Sequence, residues 1–148
     1  MTPSAALRLR KALTGEELSM DATFDVTIEP GRKLLRVSLG GFFALGDVAA
    51  LEVEKRAALV RLGCGPNQHV TLVDVTACKL QPQDVVGAFQ ATIAEPRYMA
   101  RRIAFVTGSS LARMQVRRMT TRNDAAIFDS VKAAEAWLFE TIPPRVAG

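Results

Sequence analysis

With 148 residues, 49% of them hydrophobic and 23% charged, the chain has the size and apolar content of one domain that buries its own core, which excludes a scaffold dependent on disulfides or metals. Its formal net charge of +4 is modest, and much of the excess gathers in Arg97, Arg101, Arg102, Arg113, Arg117, Arg118 and Arg122, which points to a local anionic partner rather than to general nucleic-acid affinity. Cys64 and Cys78 stand far apart with no metal-binding spacing, and no window reaches the roughly 20 apolar residues of a membrane span, so a soluble, unexported protein of the reducing cytoplasm is expected, without a zinc site and not integral to a membrane.

In chain order, residues 1–22 mix small, basic and acidic side chains with little pattern and read as a flexible arm. Phe24, Val26 and Ile28 then alternate with Asp25, Thr27 and Glu29, the period-2 signature of a strand with one buried face. Leu35, Val37 and Leu39 repeat the pattern, and the Pro30 to Lys33 turn makes the two strands an antiparallel hairpin. Its exposed edge makes a homodimer credible.

Gly40-Gly41 closes the second strand, Phe42, Phe43 and Leu45 follow in a loop, and Asp47 reads as the N-cap of a helix. Val48, Leu51, Ala58 and Leu62 recur at helical spacing there, with Glu52 and Arg56 set to pair at i,i+4. Gly63 and Gly65-Pro66-Asn67 stop that helix. Val70 to Val75 is a nearly continuous apolar run, as in a central parallel strand covered on both faces, and Asp74-Val75-Thr76 falls at its carboxyl end, where ligands gather in open α/β sheets.

Pro82 pre-sets the first turn of a second helix carrying Val85, Val86, Phe89 and Ile93 on one face, and Glu95-Pro96 ends it. Ile103 to Val106 is another buried strand. The Thr107-Gly108-Ser109-Ser110 turn leads into an Arg-rich helix with Ala112, Val116 and Met119 on one face. A short strand at Ala126 to Phe128 precedes a last helix burying Val131, Ala134, Trp137 and Leu138, stopped by Pro143-Pro144. This order of strands and helices predicts an α/β domain over 23–140 with a largely parallel sheet, followed by a tail, 141–148.

The hairpin, Leu72-Val73-Asp74-Val75-Thr76, Arg102-Ile103-Ala104-Phe105-Val106 and the closing Ile127-Phe128-Asp129-Ser130 through Ala136-Trp137-Leu138 together resemble SpoIIAA-like proteins of the STAS superfamily. The resemblance implies a mixed four- to five-stranded sheet with about four helices on one side, used to bind a partner or ligand rather than to catalyse. In the anti-sigma-factor antagonists of that superfamily a phosphorylatable Ser follows the central strand in an Asp-Ser-Ser-Gly-like motif. Here Asp74-Val75-Thr76-Ala77 stands in that place, so the usual phosphoserine switch is not expected.

Two functions from different classes follow. The first is a regulatory protein-interaction module presenting Asp74 and Thr76. The second is a site for a small anionic or lipid-like ligand, with Phe42, Phe43 and Leu45 bordering an apolar cleft and Ser109, Ser110, Arg113 and Arg117 forming an anion site at a helix N-terminus. No catalytic, cofactor or metal constellation stands out. His69, the sole histidine, precedes a strand with no nucleophile-base pair near it and reads as a loop residue.

Overall fold

The computed structural model describes residues 21–120 and 122–140. The strands are β1 (Thr23–Glu29), β2 (Leu34–Gly41), β3 (Val70–Cys78), β4 (Arg102–Val106) and β5 (Ala125–Phe128); the helices are α1 (Leu45–Leu62), α2 (Gln83–Ile93), α3 (Ser110–Met119) and α4 (Val131–Leu138). They form one five-stranded sheet in the order β1-β2-β3-β4-β5, with β1 antiparallel to β2 and the remaining pairs parallel. The hairpin turns through a short 3-10 segment, Pro30–Arg32, and closes at Lys33, whose φ of 51° is left-handed. The expected arm lies outside the described residues except for Asp21 and Ala22, and Ala22 belongs to the packed unit because it is buried in the core.

Strand order decides where the helices go. Each parallel crossover steps one strand in the same direction, and crossovers of a single hand then place all their helices on one face. Accordingly α1, α2 and α3 cover one side through Val48, Leu51, Val85, Phe89 and Val116, which pack on Phe24, Val26, Val37, Val73 and Phe105 of the sheet. The expectation of helices on one side fails at α4. It follows the last strand and is no crossover, so it is free to cover the other face, where Ala134 and Leu138 pack on Leu34, Leu72, Ala104 and Val106. The run of apolar residues in β3 and β4 serves these two cores at once.

Only part of that second face is covered by α4. Over β1 and β2 it carries an ionic cluster: Arg36 reaches Glu29 at 2.6 Å and Glu135 of α4 at 2.9 Å, and Arg32 reaches the same two carboxylates at 2.6 and 2.9 Å. Hydrogen bonds from Arg36 and then Arg32 hold both carboxyls below their usual range.

Helix ends follow local side-chain chemistry. The cap of α1 is Ala44 rather than Asp47; Asp47 sits in the first turn and reaches back, accepting from Ala44 N at 2.8 Å. Pro82 is the N-cap of α2 rather than part of its first turn. Ser109 and Ser130 cap α3 and α4, accepting from Ala112 N at 3.3 Å and Ala133 N at 3.1 Å. Between the sheet and the three-helix layer lies an apolar cavity of about 60 Å³ lined by Val37, Val73, Phe89, Phe105, Val116 and Met119.

Candidate functional site

The carboxyl ends of β2, β3 and β4 and the starts of α1, α2 and α3 meet at one end of the sheet. β3 runs on to Cys78 instead of ending near Val75, so Thr76 lies within the strand. Ser38 pairs with Asp74 and Gly40 with Ala77, so that Leu39 alone opposes Val75 and Thr76, a β-bulge. Asp74 stabilises it: its Oδ1 accepts from Thr76 N at 3.0 Å and from Thr76 Oγ1 at 2.7 Å. The Thr76 hydroxyl is thus exposed on the surface but committed to a neighbouring carboxylate.

β2 ends at Gly41, whose φ of 76° needs a residue without a Cβ, because a Cβ there would lie 2.1 Å from Asp21 O. Gly41 O accepts from Lys79 N at 3.2 Å and from Gln81 Nε2 at 2.9 Å. Gln81 then accepts from Phe43 N at 2.7 Å through Oε1 and exchanges two 2.9 Å bonds with the Gln115 side chain of α3. One buried glutamine therefore locks together the ends of β2 and β3 and the middle of α3. Sequence reasoning missed Gln81, since its partners are distant in the chain.

Phe42 and Phe43 do not share a cleft. Phe43 is 2% exposed and meets Phe89 edge to face at 5.6 Å, while Phe42 is 41% exposed with Lys79 Nζ 5.4 Å from its ring centroid. Leu45 and Phe43 instead line a shallow groove with Ala49, Pro82 and Val85. The expected anion site is also rearranged. Arg113 pairs with Asp129, so its charge is met by a carboxylate instead of being shared with Arg117 across an anion. Arg117 is exposed, Ser109 is committed to capping, and Ser110 opens α3. What these elements do gather is apolar surface: Phe42, Leu45, Leu80, Leu111 and Met114 are five of the seven exposed large hydrophobic residues among those described. Cys78, nearby, is no nucleophile at neutral pH, because burial and then the Asp74 charge push its thiol up to about 12.

No family model and no curated protein matches the chain. Among solved structures it is similar to an uncharacterized DUF3478-family protein with a SpoIIAA-like fold from Shewanella loihica PV-4, at 18% identity over 81% of this chain and 97% of that one, with a TM-score of 0.62. The fold is SpoIIAA-like. On the SpoIIAA-like frame, Phe42, Leu45, Leu80 and Leu111 lie just past the carboxyl ends of β2 and β3 and at the starts of α1 and α3, with Met114 one turn further into α3. Among the described residues no helix is long and apolar enough to cross a membrane.

Proposed function

We propose that the chain is a non-enzymatic regulatory module of the cytoplasm, similar in kind to anti-sigma-factor antagonists but without their phosphoserine switch, which docks a protein partner on the carboxyl end of its sheet. The observation that carries this reading is the placement of exposed apolar side chains, Phe42, Leu45, Leu80, Leu111 and Met114, on the segments that follow β2, β3 and β4. Exposed large apolar side chains brought to one end of a small domain mark an interaction site. The Gln81 clamp adds rigidity, so that a partner meets a preformed surface and ordering it costs little on binding. The ligand-binding alternative has less support: Phe43 is core, the cavity under the helices, about 60 Å³, is far below the ~300 Å³ of small-molecule pockets, and the larger groove along Phe43 and Leu45 lies open to solvent instead of enclosing a ligand.

The test compares the wild type with a Leu80→Asp, Leu111→Asp variant as bait in lysate from cells that make the protein. A protein retained in near-stoichiometric amount by the wild type and lost from the variant, with circular dichroism unchanged, supports the reading. Equal recovery by both baits refutes it.

A further inference from the structure

Of the seven exposed large hydrophobic side chains among the described residues, two lie apart from the proposed docking surface: Val53 and Val60, 61% and 80% exposed on α1. Seven residues make almost two full turns, so both valines project from one face of the helix. Ala49 and Ala57, also exposed, share that face, and at about 100° per residue the four fall within an arc of roughly 80°. The opposite side of α1 is already used, with Val48, Leu51, Ala58 and Leu59 buried. The helix is therefore apolar on its outer side as well as its inner one, although a surface helix ordinarily turns polar residues to water. Helix formation gives no reason for this, because β-branched valine is a poorer helix former than the lysine or glutamate that an exposed position accepts.

This outer face is complementary to itself. When two copies of α1 lie side by side and antiparallel, with Val53 of one against Val60 of the other, the two-fold axis repeats that contact and brings Ala57 of each copy to the centre, where a small side chain lets the backbones approach. An antiparallel two-fold pair also sets the same flank of each helix against itself. One flank carries Glu54 and Arg61, and in this register Glu54 of one copy and Arg61 of the other are offset by two residues, about 3 Å along the axis, so they are placed to pair twice. A parallel pair separates them by seven residues, about 10 Å, and loses both contacts. On the other flank Arg56 is drawn back over Tyr98, 4.8 Å from the ring centroid, and toward Glu52 at 3.5 Å, which leaves Ala57 open at the middle of the seam.

We propose that the outer face of α1 is a homodimer interface, covered by the same face of a second copy of this chain in an antiparallel, two-fold arrangement. The interface lies on the back of α1 and not on the hairpin edge expected from the sequence. It is separate from the carboxyl end of the sheet, so a dimer keeps two docking surfaces free, and it does not rest on the partner-binding reading. Burial of Val53 and Val60 supplies the attraction, and the Glu54 and Arg61 flank sets the orientation.

Sedimentation equilibrium of the full chain should show a reversible dimer forming between about 1 and 500 µM. A Val53→Lys, Val60→Lys variant should dimerise at least about a hundredfold more weakly, with circular dichroism and the denaturation midpoint unchanged because both side chains are exposed in the single chain. The Leu80→Asp, Leu111→Asp variant should dimerise like the wild type. Oxidation in a Cys64→Ser background reads orientation and register. Ala57→Cys should form a disulfide-linked dimer, and Val53→Cys should not, since its two copies stand seven residues, about 10 Å, apart along the axis, beyond the ~4.4–6.8 Å that a disulfide spans. A wild type that stays monomeric to about 500 µM, a dimer that survives the double lysine substitution or is lost with Leu80 and Leu111, or Val53→Cys crosslinking as readily as Ala57→Cys overturns the proposal.

Discussion

The Asp74 carboxylate holds both the amide and the hydroxyl of Thr76, at 3.0 and 2.7 Å. A phosphate on Thr76 would break the hydroxyl bond and set a second negative charge beside the first, which disfavours the modified state. Thr76 should therefore be unphosphorylated in growing cells. Stoichiometric phosphate on the Thr76 peptide in mass spectrometry of the native protein would contradict this. Asp74→Ala should relax the bulge and lower stability by about 1 kcal/mol in a urea titration, the ordinary worth of such bonds.

The last helix is held more by Leu138 than by Trp137. Leu138 is fully buried, whereas Trp137 is half-buried, packing on Phe128 with ring centroids 5.5 Å apart and under the Arg102 guanidinium at 4.7 Å. Leu138→Ala should cost about 3 kcal/mol, and Trp137→Ala about 2 kcal/mol, short of the ~3–5 kcal/mol of a fully buried aromatic. Chemical denaturation of the two variants checks the ranking.

Stability should fall with pH in two stages. His69 is lowered to about 4 in the folded protein, mainly by burial, against 6.5 when unfolded. The unfolded chain therefore binds the extra proton first. The His69 contribution is complete above pH 6.5 and is lost between about 6.5 and 4, by up to roughly 3 kcal/mol. Glu29 and Glu135, lowered by Arg36 and Arg32, act further down: their contribution is present above the unfolded carboxyl pKa and disappears as they protonate in the folded state. Comparing thermal midpoints at pH 7.5 and 5 for the wild type and His69→Gln isolates the first stage, which should vanish in the variant.

Gly41→Ala should be the most damaging single methyl addition in this sheet. It combines a positive φ with a Cβ driven into the Asp21 carbonyl, a backbone atom that cannot rotate away. A loss of roughly 3 kcal/mol or more is expected. In contrast Val73→Ile adds a methyl group toward the 60 Å³ cavity and should raise the denaturation midpoint, by up to about 1 kcal/mol.

Much of this architecture is written in local pattern. Alternation in β1 and β2 assigns Phe24, Val26, Val37 and Leu39 to the three-helix core, and the uninterrupted apolar runs of β3 and β4 mark strands covered on both faces. Adjacent side chains in a linker carry no such signal. Phe42 is exposed and Phe43 buried, and in the short linker between β2 and α1 a periodicity argument has nothing to count. Arg113 looked available for an anion because Asp129, its partner, lies across the β5 turn and not on its own helix. Gln81 joins residues 38 and 34 positions away, and such long-range polar bonds follow from the finished fold.

Strand order equal to chain order bears on how the protein is made. Every strand pairs with the one synthesised just before it, so the sheet is able to grow by addition at a single edge while the chain leaves the ribosome. α4 comes last, and until it arrives Leu34, Leu72, Ala104 and Val106 face water. The nascent sheet thus passes through a stage with one finished side and one adhesive side, and that interval is when a chaperone has most to protect.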